Sequence, residues 1–198
     1  MILIEQTQVP ETDLPVAEFR EHLQLGSGFA DDGLQDAVLV SQLKAAIAAI
    51  EGRTSKALLA RDFLLVNSAW RSLGQQVFPI APVVAIQSMK IMDLQGEDTL
   101  TDASTYRLRR DTHAPALVSI GLSLPTIPVG GSADILFTAG FGTWSDVPPD
   151  LQQAVFLLAT QYYENRSASV ARATSLPLGV VSICRRYTPI RLVGARRI

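Results

Sequence analysis

The chain has 198 residues, of which 47% are hydrophobic and 18% are charged, and its formal net charge is -2. This composition excludes disorder over the whole length, and the near-neutral charge excludes a chain that is basic throughout. The single cysteine, Cys184, excludes a disulfide framework and a zinc cluster built from cysteines. No apolar run exceeds six residues, the length of the run from Ala154 to Ala159, which is too short to span a membrane. The first residues lack the basic start of a secretory signal. We therefore expect a soluble protein made in the cytoplasm, with no membrane partner.

Charge is distributed unevenly along the chain. Residues 1–36 contain eight acidic residues and one basic residue, Arg20. Residues 185–198 contain no acidic residue and five arginines, which are Arg185, Arg186, Arg191, Arg196 and Arg197. Arginine forms planar, forked contacts with carboxylates and phosphates. The pattern favours two electrostatically different neighbours, or head-to-tail contact between copies.

Residues 13–53 are predicted to form two helices. Asp13 and Pro15 are typical of a helix start, and Val16, Phe19 and Leu23 follow at helical spacing. After the break at 26–33, a second apolar stripe consists of Leu39, Leu43, Ile47 and Ile50. The alanines at 45–49 predict close packing against another helix, and the long helix after the β region is the expected partner.

Residues 57–140 are predicted to form an antiparallel β insertion of four to six strands. Segments at 57–66, 83–92, 106–108, 116–120 and 133–139 are rich in apolar residues and are separated by prolines and polar loops. The stretch at 96–104 is predicted to be a loop.

A long helix is predicted at 147–168, because Leu151, Ala154, Val155, Leu158 and Tyr162 share one helical stripe after a proline-rich start. Residues 176–198 contain two prolines and two glycines and are predicted to be an extended basic tail. The expected fold class is therefore α+β: a single subunit over 1–198, with a helical bundle, an inserted β module and an extended tail.

Motifs for catalysis and cofactor binding are missing from the sequence. There is no Gly-Lys pair for a P-loop, no complete dinucleotide fingerprint and no nucleophile elbow. His22 and His113 lie far apart in the sequence, without metal-ligand spacing. We expect no enzymatic activity, no catalytic residue, no cofactor and no metal. An enzyme that uses Cys184, beside two arginines, or the Asp31-Asp32 pair is the alternative.

Several stretches, taken in order, resemble the head–tail connector (adaptor) family of long-tailed bacteriophages and of phage-derived gene transfer agents. They are LPVAEFREHLQL at 14–25, LKAAIAAIEGRTSKAL at 43–58, FTAGFG at 137–142, VPPDLQQAVFLLATQYYENR at 147–166 and LPLGVVSICRRYTPIRL at 176–192. The block from FTAGFG to YYENR is the most specific part. The resemblance extends over nearly the full length of the chain. The fold that it implies is a helical bundle that carries a β insertion.

This resemblance implies a structural role in a virion or gene transfer agent particle, at the head–tail junction, after assembly in the bacterial cytoplasm. Family members form a ring of about twelve copies beneath the portal protein. The ring joins the portal to a stopper or another tail component, and it leaves a channel for DNA without sequence-specific binding. The resemblance places the portal contact in the C-terminal segment, and the expected residues are Arg185, Arg186, Tyr187, Ile190, Arg191, Leu192, Arg196 and Arg197.

Two other functions are compatible with parts of the sequence. A stopper or tail-completion protein that binds the tail tube would share the β content and the lack of catalysis. A DNA-binding regulator is disfavoured, because the sequence shows neither a basic recognition helix nor a basic overall charge.

Overall fold

The computed structural model describes residues 1–23, 33–165 and 176–188. Within these ranges the chain is a mixed α and β protein with four α-helices and two antiparallel sheets. The helices are α1 (Val16–His22), α2 (Gly33–Thr54), α3 (Pro149–Glu164) and α4 (Leu178–Tyr187). The strands are β1 (Ile2–Glu5), β2 (Arg61–Asn67), β3 (Gln75–Val77), β4 (Val83–Met92), β5 (Asp98–Leu100), β6 (Tyr106–Arg109), β7 (Ala116–Ser119) and β8 (Ser132–Ala139). No helix of the described ranges is long and apolar enough to cross a membrane.

The two sheets pack face to face around a β core. The larger sheet has the order β1-β2-β8-β4-β5, and the smaller has the order β3-β7-β6. Alternate residues of β2 and β8 point inward, so that Phe63 and Phe137 are buried and stack with ring centroids 5.7 Å apart. Phe78 and Leu117 close this core from the side of the smaller sheet. The predicted β block is therefore a sandwich with one hydrophobic centre.

The four helices share a second, helical core. α2 packs against α1, α3 and α4, and α4 also packs against α3. Ala46 is fully buried beside residues of α3, which include Ala154 and Ala159. Small side chains at this contact let the two helix backbones approach closely. The predicted packing of the alanine-rich helix against the long helix is confirmed, although Ala45 faces solvent.

The structure corrects the predicted extended tail, because residues 178–187 of that segment are α4. Val180 and Cys184 are four residues apart and fully buried, and the half-buried Ile183 and Tyr187 repeat the same spacing. Pro177 only precedes the helix, where a proline is tolerated. The prediction counted proline and glycine as helix breakers and missed this apolar stripe. Residues 189–198 lie outside the described residues.

The β module also differs from its predicted bounds. β1 lies near the start of the chain, well before residue 57, and joins the larger sheet through antiparallel pairing with β2. β5 lies within the stretch predicted to be a loop, and the short β3 was not predicted. The long helix ends at Glu164, and 166–175 are not described. A short edge strand has too few residues for its pattern to stand out, so tertiary pairing defines it.

The FTAGFG segment connects the sandwich to the helical layer. Backbone conformation and steric crowding explain why glycine occupies two of its positions. Both Gly140 and Gly142 have φ of +133°, a region that favours glycine. A Cβ atom on Gly140 would lie 2.5 Å from the carbonyl oxygen of Leu59, and one on Gly142 would lie 2.5 Å from the Asp146 carboxylate. The backbone passes so close to its neighbours that a larger residue cannot be accommodated without movement.

Candidate functional site

The candidate site is the carboxyl end of α4, where the predicted partner-binding segment begins. The inner face of α4 is held in the helical core by Val180 and Cys184. At its last turn the Tyr187 hydroxyl donates a hydrogen bond of 2.6 Å to Asp150 Oδ1, in the first turn of α3. The end of α4 is thus fixed to the start of α3.

Electrostatics strengthen this attachment. Arg186 Nη1 lies 3.0 Å from Asp150 Oδ2, and the arginine side chain is 72% exposed. Burial and the hydrogen bond to Asp150 together raise the pKa of Tyr187 to about 12. The phenol therefore stays protonated, as a donor, at every physiological pH.

The structure places three of the eight predicted contact residues together at this end. Arg185 and Arg186 are exposed, and Tyr187 is half-buried against α3. Positive side chains in the last turn of a helix complement the negative end of its dipole. The other predicted residues, which are Ile190, Arg191, Leu192, Arg196 and Arg197, lie outside the described residues.

The acidic amino-terminal region is partly paired within the chain. Glu11 lies 2.7 Å from Lys44 of α2, Glu5 lies 2.8 Å from Arg61, and Asp36 pairs with Arg20. These contacts place part of the acidic surface against the chain's own bases. Fewer carboxylates therefore remain for an external neighbour than the sequence predicts.

Arg61 is a buried polar centre that the sequence analysis missed. Its guanidinium contacts Glu51 of α2 in a forked pair, at 3.0 and 2.7 Å. Glu51 also accepts a 2.7 Å hydrogen bond from the Leu58 amide. Since Arg61 begins β2 and Glu51 lies in α2, the pair joins the sandwich to the helical layer. The signal for this pair in the sequence was the placement of Glu51 and Arg61 ten residues apart, on either side of the connection between α2 and β2.

Cys184 and His22, which the sequence raised as candidates for catalysis or metal binding, both pack against apolar side chains. Cys184 is fully buried, and burial raises the pKa of its thiol, with Arg53 opposing the shift. His22 packs against Phe156 with ring centroids 5.4 Å apart. Asp31 and Asp32 lie outside the described residues, and the described ones contain no group of His, Cys, Asp and Glu able to hold a metal ion.

Solved structures contain close relatives of this chain, whereas no protein-family model and no curated protein matches it. A chain in the neck of an empty gene transfer agent particle, computed with C6 symmetry, is 51% identical with a TM-score of 0.90. A chain in the virion of a native gene transfer agent particle is also 51% identical, with a TM-score of 0.87. A chain in the neck of the native particle, computed with C12 symmetry, is 47% identical with a TM-score of 0.85. Each match covers 99% of this chain and 100% of the other.

Identity at this level over the whole length fixes more than the fold. The matched chains are structural components of the particle, and their family is not enzymatic. The predictions of a non-enzymatic protein and of a location at the head–tail junction of the particle are therefore confirmed. The chain belongs to the family of gene transfer agent neck proteins that these structures contain.

Proposed function

We propose that the chain is the head–tail adaptor of its particle. About twelve copies form a ring beneath the portal, join the DNA-filled head to the tail and leave a channel through which DNA passes without sequence-specific contacts. The observation that carries this proposal is full-length similarity to chains from particle necks computed with C6 and C12 symmetry. In this role α1 to α4 form the helical bundle of the subunit, since all four contribute to one core.

The portal contact is assigned to the end of α4 and to the residues that follow it. Arg185 and Arg186 are exposed at the last turn, and three further arginines follow at 191–197. The hydrogen bond from Tyr187 to Asp150 fixes the last turn of α4, which carries the first two of these arginines. A ring repeats the same five arginines in every copy, so contacts that are weak singly act together.

A truncation of residues 189–198 tests this assignment. It leaves Val180, Cys184 and Tyr187 in place, whereas removal of 182–198 would open the helical core at Cys184. We expect the truncated chain to fold, with unchanged thermal stability, and to lose co-sedimentation with the portal. A truncated chain that still binds the portal would place the contact elsewhere.

A charge-reversal pair with a matched control separates position from net charge. The double variant Arg185→Glu with Arg186→Glu is expected to weaken portal binding. The binding that remains should also vary less with salt concentration. Arg107→Glu with Arg109→Glu changes the charge equally at exposed positions of β6 and is expected to bind as the native chain does. Binding to a purified tail tube but not to the portal would instead support the stopper or tail-completion role.

A further inference from the structure

The larger sheet ends in an edge strand with an apolar surface that the described residues do not cover. Along β1, Ile2 is 61% exposed, Leu3 is 38% exposed and Ile4 is 42% exposed. β1 pairs with β2 on one side, and no described strand pairs with its other side. Natural edge strands are commonly protected by charged residues, proline or a bulge. Residues 2–5 contain no proline or bulge, and their one charged residue, Glu5, is paired with Arg61 of the same chain.

The apolar surface continues from β1 onto the outer face of the sheet. Ile2 and Ile4 stand opposite Val66 and Leu64 of β2, and Leu64 stands opposite Leu136 of β8. All five side chains lie on the face that points away from the β core. The three on β2 and β8 are only half-buried and belong to neither hydrophobic core.

β1 is nevertheless firmly attached to the sheet. The Gln6 amide donates a 2.8 Å hydrogen bond to Asp62 O, and the Asp62 amide donates a 2.9 Å bond to Thr7 Oγ1. Glu5 also forms an ion pair with Arg61. The edge is therefore held in position as a ready surface for pairing.

The opposite edge of the same sheet is β5, which is also exposed. Asp98, Thr99 and Leu100 are all exposed, and Leu100 is 65% exposed. Near this edge Leu94 is 71% exposed. Asp98 is paired with Lys90, so Leu100 is the apolar residue of this strand. The sheet thus ends on each side in a short, exposed edge strand.

We propose that neighbouring copies in the ring join through these two edges, with β1 of one copy against β5 of the next. A closed ring needs a head-to-tail contact between two different surfaces on opposite sides of the subunit, and the two edges meet that requirement. The occupant is a second copy, because the related chains come from necks with C6 and C12 symmetry. The sheet has five antiparallel strands, an odd number, so β1 and β5 run in the same direction. Rotation about the ring axis therefore brings them together as a parallel pair. This inference rests on the proposed ring.

Cysteine cross-linking in assembled particles tests the proposal. The variant carries Leu3→Cys and Thr99→Cys, and a second carries Ile4→Cys and Thr99→Cys to sample the other face of β1. Within one chain the two positions are separated by four strand spacings, about 19 Å, so a disulfide must join two copies. We expect oxidation to give a ladder of multimers beyond the dimer. Each single-cysteine chain should give at most dimers, and the native chain none, because Cys184 is buried.

Two results would overturn the inference, and they differ in what else they affect. Particles that contain both double variants but give no ladder would reject the edge contact and leave the ring intact. Particles that lack even the native chain would reject the proposed function as well.

A proline substitution examines the outward backbone donor directly. Since the Gln6 amide points toward β2, alternation along an antiparallel strand directs the Leu3 amide outward. Leu3→Pro removes that donor while the bonds to β2 remain, and Leu3→Ala removes the same side chain but keeps the donor. We expect Leu3→Pro to lose incorporation into particles relative to Leu3→Ala, with equal thermal stability of the two purified chains. Equal incorporation of the two variants would contradict backbone pairing at this edge.

Discussion

The Tyr187 hydroxyl lies 2.6 Å from Asp150 Oδ1, and this hydrogen bond joins the last turn of α4 to the first turn of α3. The two residues are far apart in the sequence, yet together they fix the last turn of α4 against α3. Asp150 also lies at the positive end of the α3 dipole, where a carboxylate is stabilised. The Asp150 carboxylate thus stabilises the start of α3, accepts a hydrogen bond from Tyr187 and forms an ion pair with Arg186.

Replacement of Tyr187 by Phe is expected to lower the free energy of unfolding by about 1–2 kcal/mol, because the bond is made to a charged acceptor in a half-buried site. Chemical denaturation measures the change. Asp150→Asn and the double variant complete a thermodynamic cycle, and the two single effects should not add. Simple additivity would show that the hydroxyl and the carboxylate do not interact.

The same tyrosine predicts a loss of stability at alkaline pH. Its pKa is raised from 10.0 to about 12 in the folded chain. Between these values the unfolded chain releases the phenolic proton while the folded chain retains it, so the free energy of unfolding falls as pH rises. Tyr187→Phe lacks this titration and should lose less stability over the same interval. Parallel curves for the two proteins would count against a perturbed phenol.

The contact between α2 and α3 predicts a strong effect of side-chain size at Ala46. This residue is fully buried, and Ala46→Leu should destabilise the chain by about 1–3 kcal/mol through overpacking. Ala45→Leu introduces the same side chain on the exposed face of α2 and should change stability by less than about 0.5 kcal/mol. Thermal unfolding of both variants checks the difference, and equal midpoints would argue against the close helix contact.

Gly140 is expected to tolerate no side chain. Gly140→Ala forces a residue with a Cβ atom into a positive φ, which costs about 1–3 kcal/mol, and it adds a clash with the backbone at Ala60. Gly52→Ala is the control, because that glycine lies in α2 with open space around it, and alanine there should stabilise by about 0.5–1 kcal/mol. Opposite signs are expected in denaturation experiments. A neutral Gly140→Ala variant would contradict the close backbone approach.

The Cys184 thiol should react slowly in the folded chain. It is fully buried, and burial raises its pKa, so little thiolate is present or accessible at neutral pH. A thiol reagent added at pH 7 is expected to label the native chain only at the rate of unfolding and the denatured chain at once. Rapid labelling of the native chain would revive the hypothesis of a reactive cysteine.

The sequence by itself determined the class of the protein and most of its helical plan. Stripes such as Leu39, Leu43 and Ile47 follow the local helical period, so α2 and its buried face could be predicted without knowledge of any neighbour. The absence of catalytic motifs and the presence of the FTAGFG block could also be recognised from the sequence alone. The prediction of a structural protein at the head–tail junction rested on these local patterns and on the resemblance that they carry.

Only the tertiary structure decided the first strand and the last described helix. β1 is a strand because β2 offers it hydrogen bonds across the fold, and four residues have no detectable period of their own. α4 is a helix because Val180 and Cys184 pack into a core contributed by α2 and α3, which outweighs the glycine in its first turn. Glu5 and Arg61 likewise meet only after folding. Local patterns predict an element when its own residues show a clear hydrophobic period. Short edge strands and the last described helix are instead stabilised by contacts with residues distant in the sequence.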